Sequence, residues 1–191
     1  MDPAPDESGL VSSCQAGRLE DFDPLYRHYV KPIYGFILRR TLVREIAEDL
    51  TSTTFLKALE NIGAFSPKRG AFAAWLYGIA RNSVTDHYRS RREYANIEDV
   101  WDLAGDDDVP ADASNALEIR RIREALSTLD RAKRDIVLMR VWDGLSYKEI
   151  AAITGKSEGN CKVIVSRTLG DLRSKLPLAL FLLLLLPPLR P

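Results

Sequence analysis

Apolar residues recur along this chain at steps of three and four, the rhythm of one helix face, and no run of any length alternates as a half-buried strand does. Phe22, Leu25, Tyr26, Tyr29, Ile33, Phe36 and Ile37 follow that rhythm, although Pro32, which lacks an amide hydrogen, is expected to kink or restart the helix. From about Arg44 to Glu60 a second stripe runs through Ala47, Leu50, Thr54 and Ala58, widened by Phe55 and Leu59, with Glu45, Asp49, Ser52 and Leu56 opposite. Asn61 to Gly70, holding two glycines and Pro67, reads as a loop. A third helix from about Ala71 to Arg92 sets Phe72, Trp75, Leu76 and Ile79 on one side and Tyr77, Arg81, Tyr88 and Arg92 on the other.

The second half starts with a stripe of Ile119, Ile122, Leu126 and Leu129. Asp130 can cap a helix from about Arg131 to Trp142, and Gly144 is placed to end it. Ser146-Tyr147-Lys148-Glu149 is a capping box opening another helix, with Ile150, Ala151 and Ile153 inward. After a turn at Gly155, Ser157 can cap a last helix whose buried stripe is Cys161, Val165, Thr168 and Leu172, leaving Glu158, Lys162, Ser166 and Arg167 for solvent or a ligand. Two helices joined by a glycine turn form a helix-turn-helix, whose second member enters the major groove of DNA. The competing reading is a small bundle that binds another protein.

Charge changes that balance. The 27 basic and 27 acidic side chains cancel, so affinity for nucleic acid must come from segregated charge. Residues 1 to 24 carry −5, residues 25 to 67 carry +2, residues 68 to 92 carry +5, residues 93 to 118 carry −9 with no basic group, and residues 119 to 176 carry +6. The acidic stretch contains Gly105, Asp106, Asp107, Asp108 and Pro110 and can bury little, so it reads as a tether between two basic modules. The expected fold is all-α, with two small helical domains joined by an acidic flexible linker. The expected boundaries are a disordered acidic segment at 1–17, a first domain at 18–93, a linker at 94–116, a second domain at 117–176 and an apolar tail at 177–191.

On the third helix, rings and guanidinium groups share a face, as on surfaces that hold single-stranded nucleic acid, where each stacked base is worth roughly 1 to 3 kcal/mol. An alternative is a solvated, arginine-rich helix end with its tyrosines partly buried against a neighbour, and periodicity alone favours that alternative. Cys161 is best read as a small apolar core residue, since a redox role needs a partner thiol.

Taken together, the chain resembles the extracytoplasmic-function group of bacterial RNA polymerase sigma factors from about Arg18 to Leu176. Ala47-Glu48-Asp49-Leu50-Thr51-Ser52-Thr53-Thr54-Phe55 looks like the polymerase-binding helix of region two. Phe72-Ala73-Ala74-Trp75-Leu76-Tyr77-Gly78-Ile79-Ala80-Arg81-Asn82, followed by Asp86, Arg89, Arg91 and Arg92, looks like its promoter-melting helix. Gly144-Leu145-Ser146-Tyr147-Lys148-Glu149-Ile150-Ala151, followed by Ser157, Gly159, Lys162, Ser166 and Arg167, looks like the helix-turn-helix of region four.

The resemblance implies a promoter-recognition subunit that binds core RNA polymerase and opens promoter DNA. Asp49, Leu50, Thr53 and Leu56 would engage the coiled coil of the largest polymerase subunit. The loop Asn61 to Ala71, with Asn61, Phe65, Lys68 and Arg69, would pocket a flipped base of the minus-ten element, assisted by Tyr77, Arg81, Asn82, Asp86, Tyr88, Arg89 and Arg92. Lys156, Ser157, Glu158, Asn160, Lys162, Val163, Ser166 and Arg167 would meet the minus-thirty-five element. An anti-sigma factor is a further implied partner. The alternative is a helix-turn-helix regulator that binds duplex DNA without joining the polymerase.

Several classes are disfavoured. There is no glycine-rich phosphate loop, no nucleophile with a base at recognisable spacing and no metal-ligand cluster, so no enzyme, cofactor, metal or small-molecule substrate is expected. Two distant cysteines and the lack of a visible secretory signal fit a reducing cytoplasm. The apolar run Leu178 to Leu186 is nine residues, about 14 Å as a helix against a bilayer core of roughly 30 Å. It can pack on the second domain, lie in a membrane interface or dock on a partner, and docking on the domain or a partner is the favoured expectation.

Overall fold

The computed structural model describes residues 6–41, 43–94, 121–122 and 124–185, and among them there is no β-strand. Its helices form two compact units. The first contains α1 (Glu7–Gln15), α2 (Asp23–Thr41), α3 (Arg44–Glu60) and α4 (Phe72–Tyr94). The second contains helical residues at 121–122 and 124–127, then α5 (Arg131–Val141), α6 (Tyr147–Thr154), α7 (Glu158–Lys175) and α8 (Leu178–Leu185).

The apolar stripes become the core of the first unit. Leu25, Ile33, Phe36 and Ile37 of α2 pack with Ala47, Phe55 and Ala58 of α3 and with Phe72, Leu76, Ala80 and Val84 of α4, all buried. Two threonines intrude on the buried face of α3 without loss of polar partners, because Thr51 and Thr54 donate to the carbonyls of Ala47 and Leu50 at 2.6 and 2.7 Å. Pro32 does not interrupt α2, which runs unbroken for 19 residues. Proline offers no amide hydrogen to the His28 carbonyl, but both residues lie on the exposed side, where water can substitute.

Helix α1 corrects the expectation of a disordered segment at 1–17, of which residues 1–5 lie outside the described residues. Val11 and Cys14 are buried, and the Asp6 side chain caps the helix by accepting from the Gly9 amide at 3.1 Å. Tyr29 donates its hydroxyl to Glu7, and Ser13 bonds Asp21. Of the acidic groups that suggest disorder, Asp6 is therefore a cap and Glu7 and Asp21 are acceptors around a short apolar stripe. Burial, and then the nearby charge of Asp21, pushes the Cys14 thiol above its ordinary pKa, which keeps it protonated and unreactive.

In the second unit Asp130 caps α5 by accepting from the Ala132 and Lys133 amides. Ser146 and Glu149 form both halves of the capping box of α6, at 3.2 and 2.8 Å. Gly155 follows in the left-handed region at φ 70°, which glycine enters without a Cβ penalty, and Ser157 caps α7. Ser146→Ala is expected to cost the second unit about 1 kcal/mol, read as a melting-temperature drop of a few degrees in a calorimetric scan; an unchanged transition would show that the cap contributes nothing.

The core of this unit joins Ile122, Leu126, Leu138 and Leu172 to Leu180 and Leu184 of α8. The tail thus packs on its own domain, and the boundary expected after residue 176 is corrected to include α8. Trp142 secures it by donating its indole N–H to the Leu184 carbonyl at 2.9 Å. The side of α8 that carries Leu180 and Leu184 points inward while Leu178, Leu182 and Leu185 stay exposed. Among the described residues no helix is long and apolar enough to cross a membrane. The expected linker at 94–116 falls outside the described residues except for Tyr94 of α4, as does Ile119 of the expected stripe.

Candidate nucleic-acid interface

In the second unit, α6 and α7 meet at the Gly155-Lys156-Ser157 turn with Ile150, Cys161 and Val165 buried between and beneath them. That packing turns the other side of α7 outward. Lys156, Ser157, Glu158, Asn160, Lys162, Val163, Ser166 and Arg167 are all exposed, and they follow one another from the turn along the first half of the helix. The Ser157 hydroxyl is already engaged, since it accepts from the Asn160 amide at 3.2 Å. Val163 is 46% exposed, an apolar side chain held in solvent among polar neighbours. Arg173 and Lys175 add exposed cations in the last turn, which periodicity did not single out. Cys161 is fully buried with its sulfur 3.9 Å from the Thr154 hydroxyl, the position of a core residue.

The first unit holds a second candidate surface around the loop between α3 and α4. Two 3₁₀ turns, Ile62–Ala64 and Pro67–Arg69, shape it. Asn61, Lys68 and Arg69 are exposed, and Asn61 closes the end of α3 by donating its side-chain amide to the Lys57 carbonyl at 2.8 Å. Phe65 departs from its expected place in a base pocket. It is buried, with its ring 5.6 Å from Phe72 and 5.3 Å from Trp75, and acts as the floor of the loop.

Helix α4 divides differently from its expected pattern. Asn82, Asp86 and Arg89 form an exposed row at helical spacing along the middle and C-terminal half of α4, while Arg81 is half-buried. Tyr77 is only 6% exposed and lies edge-on to Phe36 with centroids 5.1 Å apart, so it cannot receive a base without leaving the core. Tyr88 is half-buried and donates its hydroxyl to the Arg40 carbonyl at 2.9 Å. The tyrosine and arginine face therefore turns toward α2, because a 23-residue helix packed on two neighbours must bury more than the single stripe that local periodicity picks out. The Arg92 side chain lies outside the described residues.

Two residues went unnoticed in the sequence. Lys57 of α3 reaches across to α4, 4.0 Å from Asp86 and 3.5 Å from the Ser83 hydroxyl. Gln15 of α1 donates its side-chain amide to the carbonyls of both Ile62 and Phe65 at 2.9 Å. No local pattern could reveal either contact, since the partners lie 26 to 50 residues away.

On α3, Asp49 and Leu56 are exposed and Leu50 and Thr53 partly so, which puts all four on one outward face. Leu56 is 61% exposed. Among the described residues no group of histidine, cysteine and acidic side chains is placed to hold a metal ion.

A helix-turn-helix with a polar, cationic outer face, on a chain that also carries a helical bundle with a basic loop, defines a two-part DNA-binding protein. Residues 25–94 match Sigma-70 region 2 and residues 119–172 match Sigma-70 region 4. The chain is 31% identical over 163 residues to the RNA polymerase sigma factor CarQ of Myxococcus xanthus, covering 84% of this chain and 91% of that protein. It is 36% identical over 176 residues to the ECF RNA polymerase sigma factor BldN of Streptomyces coelicolor, covering 88% of this chain and 65% of that one, so it spans just under two thirds of that relative's length. Among solved structures, the sigma factor RpoE in complex with the anti-sigma factor NepR from Bartonella quintana superposes with a TM-score of 0.65 at 26% identity, covering 81% of this chain and 96% of that one. The chain belongs to the extracytoplasmic-function group of RNA polymerase sigma factors.

Proposed function

We propose that this sigma factor divides promoter recognition between its two units and brings RNA polymerase to the start site through α3. The observation that carries this reading is the set of exposed polar and cationic side chains on the first half of α7, presented by a helix-turn-helix whose inner face is closed by Ile150, Cys161 and Val165. Such a row enters the major groove with its N-terminal residues on base edges and its later cations on phosphates. Asn160 has the donor and acceptor pair that reads adenine, Val163 can meet a thymine methyl, and Lys156, Lys162 and Arg167 can neutralise phosphates of the minus-thirty-five element.

Loop 61–70 and the row Asn82, Asp86 and Arg89 receive the opened minus-ten strand. Unstacking a base costs a few kcal/mol, which a pocket for the extruded base offsets. The α3 face of Asp49, Leu50, Thr53 and Leu56 docks on the coiled coil of the polymerase's largest subunit, where an exposed leucine gains by leaving water. The protein works in the cytoplasm as a DNA-binding subunit rather than as an enzyme, and it needs no cofactor of its own. Its similarity to a sigma factor solved with an anti-sigma factor supports control by a protein of that kind.

The test mixes the purified chain with core polymerase and asks whether it elutes with the enzyme and directs transcription from a cognate promoter. Lys162→Ala and Arg167→Ala should each weaken closed-promoter binding and lower the salt dependence of the affinity by about one unit of slope. A chain that binds duplex DNA but never joins the polymerase would overturn the reading.

A further inference from the structure

Helix α1 packs against the loop between α3 and α4, and Gln15 hydrogen-bonds it there. The Gln15 amide nitrogen has two hydrogens, and the carbonyls of Ile62 and Phe65 accept both, each at 2.9 Å. Two acceptors on one side settle which end of the amide faces the loop. The carbonyls bracket the turn Ile62–Ala64, whose own bonds are few: Ala64 to Asn61 at 2.9 Å and Phe65 to Ile62 at 3.2 Å. Beneath, Ile62 and Phe65 are buried and Phe65 packs on Phe72 and Trp75. The turn is thus held by rings from inside and by Gln15 from outside, with Asn61, Lys68 and Arg69 left facing solvent.

Helix α1 is itself anchored, which makes the bracket stiff. Val11 and Cys14 are buried, Tyr29 donates to Glu7, and Arg18 donates to the Ser13 hydroxyl at 2.8 Å. A side chain on a mobile segment could not fix a loop; one on a packed helix can.

We propose that Gln15 is a positioning residue for promoter opening, holding the loop in the shape that receives the extruded minus-ten base. This rests on the assignment of loop 61–70 to that strand. Gln15 touches no DNA, and its effect passes through the two backbone carbonyls. Without it the turn samples other shapes, and the pocket binds the extruded base only from the fraction of time it is formed.

The experiment uses holoenzyme reconstituted with the full chain carrying Gln15→Glu, Gln15→Ala or the loop double variant Lys68→Ala/Arg69→Ala. Glutamate keeps the shape of the side chain but sets a carboxylate against two carbonyls, and alanine removes the reach. Closed-promoter affinity is read by gel shift and opening by permanganate reactivity of minus-ten thymines. For both Gln15 variants, opening should fall about tenfold and discrimination against mismatched minus-ten bases should narrow, the loss expected for two hydrogen bonds. Closed-promoter affinity and polymerase binding should stay near those of the parent chain, and the melting temperature should fall by no more than the few degrees that two lost hydrogen bonds cost. Unchanged opening in both Gln15 variants, alongside a defect in the loop variant, would overturn the proposal alone. Losses of opening, polymerase binding and thermal stability in the same proportion would also overturn it, by making Gln15 merely structural. If the loop variant opens normally, the assignment of the loop to the minus-ten strand fails instead.

Discussion

Replacing Leu180 and Leu184 together by alanine is expected to unfold the second unit or bring it to the edge of unfolding. The two side chains are 5% and 1% exposed and lie in one cluster with Ile122, Leu126, Leu138 and Leu172. Each buried leucine cut to alanine costs about 2 to 5 kcal/mol, and neighbours in one cluster do not add independently. Even the lower end is a large share of the roughly 5 to 15 kcal/mol that holds an ordinary domain folded. Leu182→Ala is the control: that side chain is 53% exposed, and surface changes stay within about 0.5 kcal/mol. Thermal unfolding by circular dichroism checks both. A double variant melting within a degree or two of the parent chain would mean that α8 is not part of the core. Truncation after Leu176 removes the same leucines and the bond from Trp142, so promoter activity should fall with the fold. A tail acting as an inhibitor would give the opposite sign, higher activity with unchanged stability.

Tyr77→Ala should act on stability before it acts on DNA. The ring is 6% exposed and packs edge-on against Phe36, so its removal leaves a cavity in the first unit worth about 3 to 5 kcal/mol. Tyr77→Phe keeps the ring and should cost about 1 kcal/mol or less, the net worth of an ordinary hydrogen bond. Chemical denaturation of the two variants, with minus-ten thymine reactivity measured while both remain folded, separates packing from stacking. If Tyr77→Ala melted with the parent chain yet failed to open promoters, the ring would reach a base and its place in the core would be wrong. For Tyr88, whose hydroxyl is tied to the Arg40 carbonyl, the smaller expectation is a loosened α2–α4 contact.

Much of the candidate site was legible because its chemistry is local. The capping box of α6, the turn at Gly155 and the cap at Ser157 each act within four residues, and they fix the phase of α7, so its outward row could be read from spacing. On α3 spacing showed Asp49 and Leu56 outward but put Leu50 on the core stripe, whereas it lies half-buried at the edge of that stripe. On α4 the reading that periodicity favoured, tyrosines buried against a neighbour, describes Tyr77, and the resemblance that turned it toward DNA did not allow for α4 packing against both α2 and α3. Phe65 was misplaced for a related reason: loop position alone does not say whether a ring points to solvent or to Phe72 and Trp75.

By itself, the amino-acid sequence determined the helical class, two basic segments around an acidic stretch and the helix-turn-helix, all of which rest on periodicity, caps and charge within short windows, while the family was legible from the resemblance of whole motifs. Tertiary structure alone decided three things. The acidic N-terminal segment became a packed helix with Val11 and Cys14 buried and Glu7 accepting from Tyr29, the apolar tail became core rather than anchor, and Gln15 met a loop 47 to 50 residues away. In each case the deciding energy is burial or a hydrogen bond between distant segments, and no local pattern carries information about which distant surface will be there to meet it.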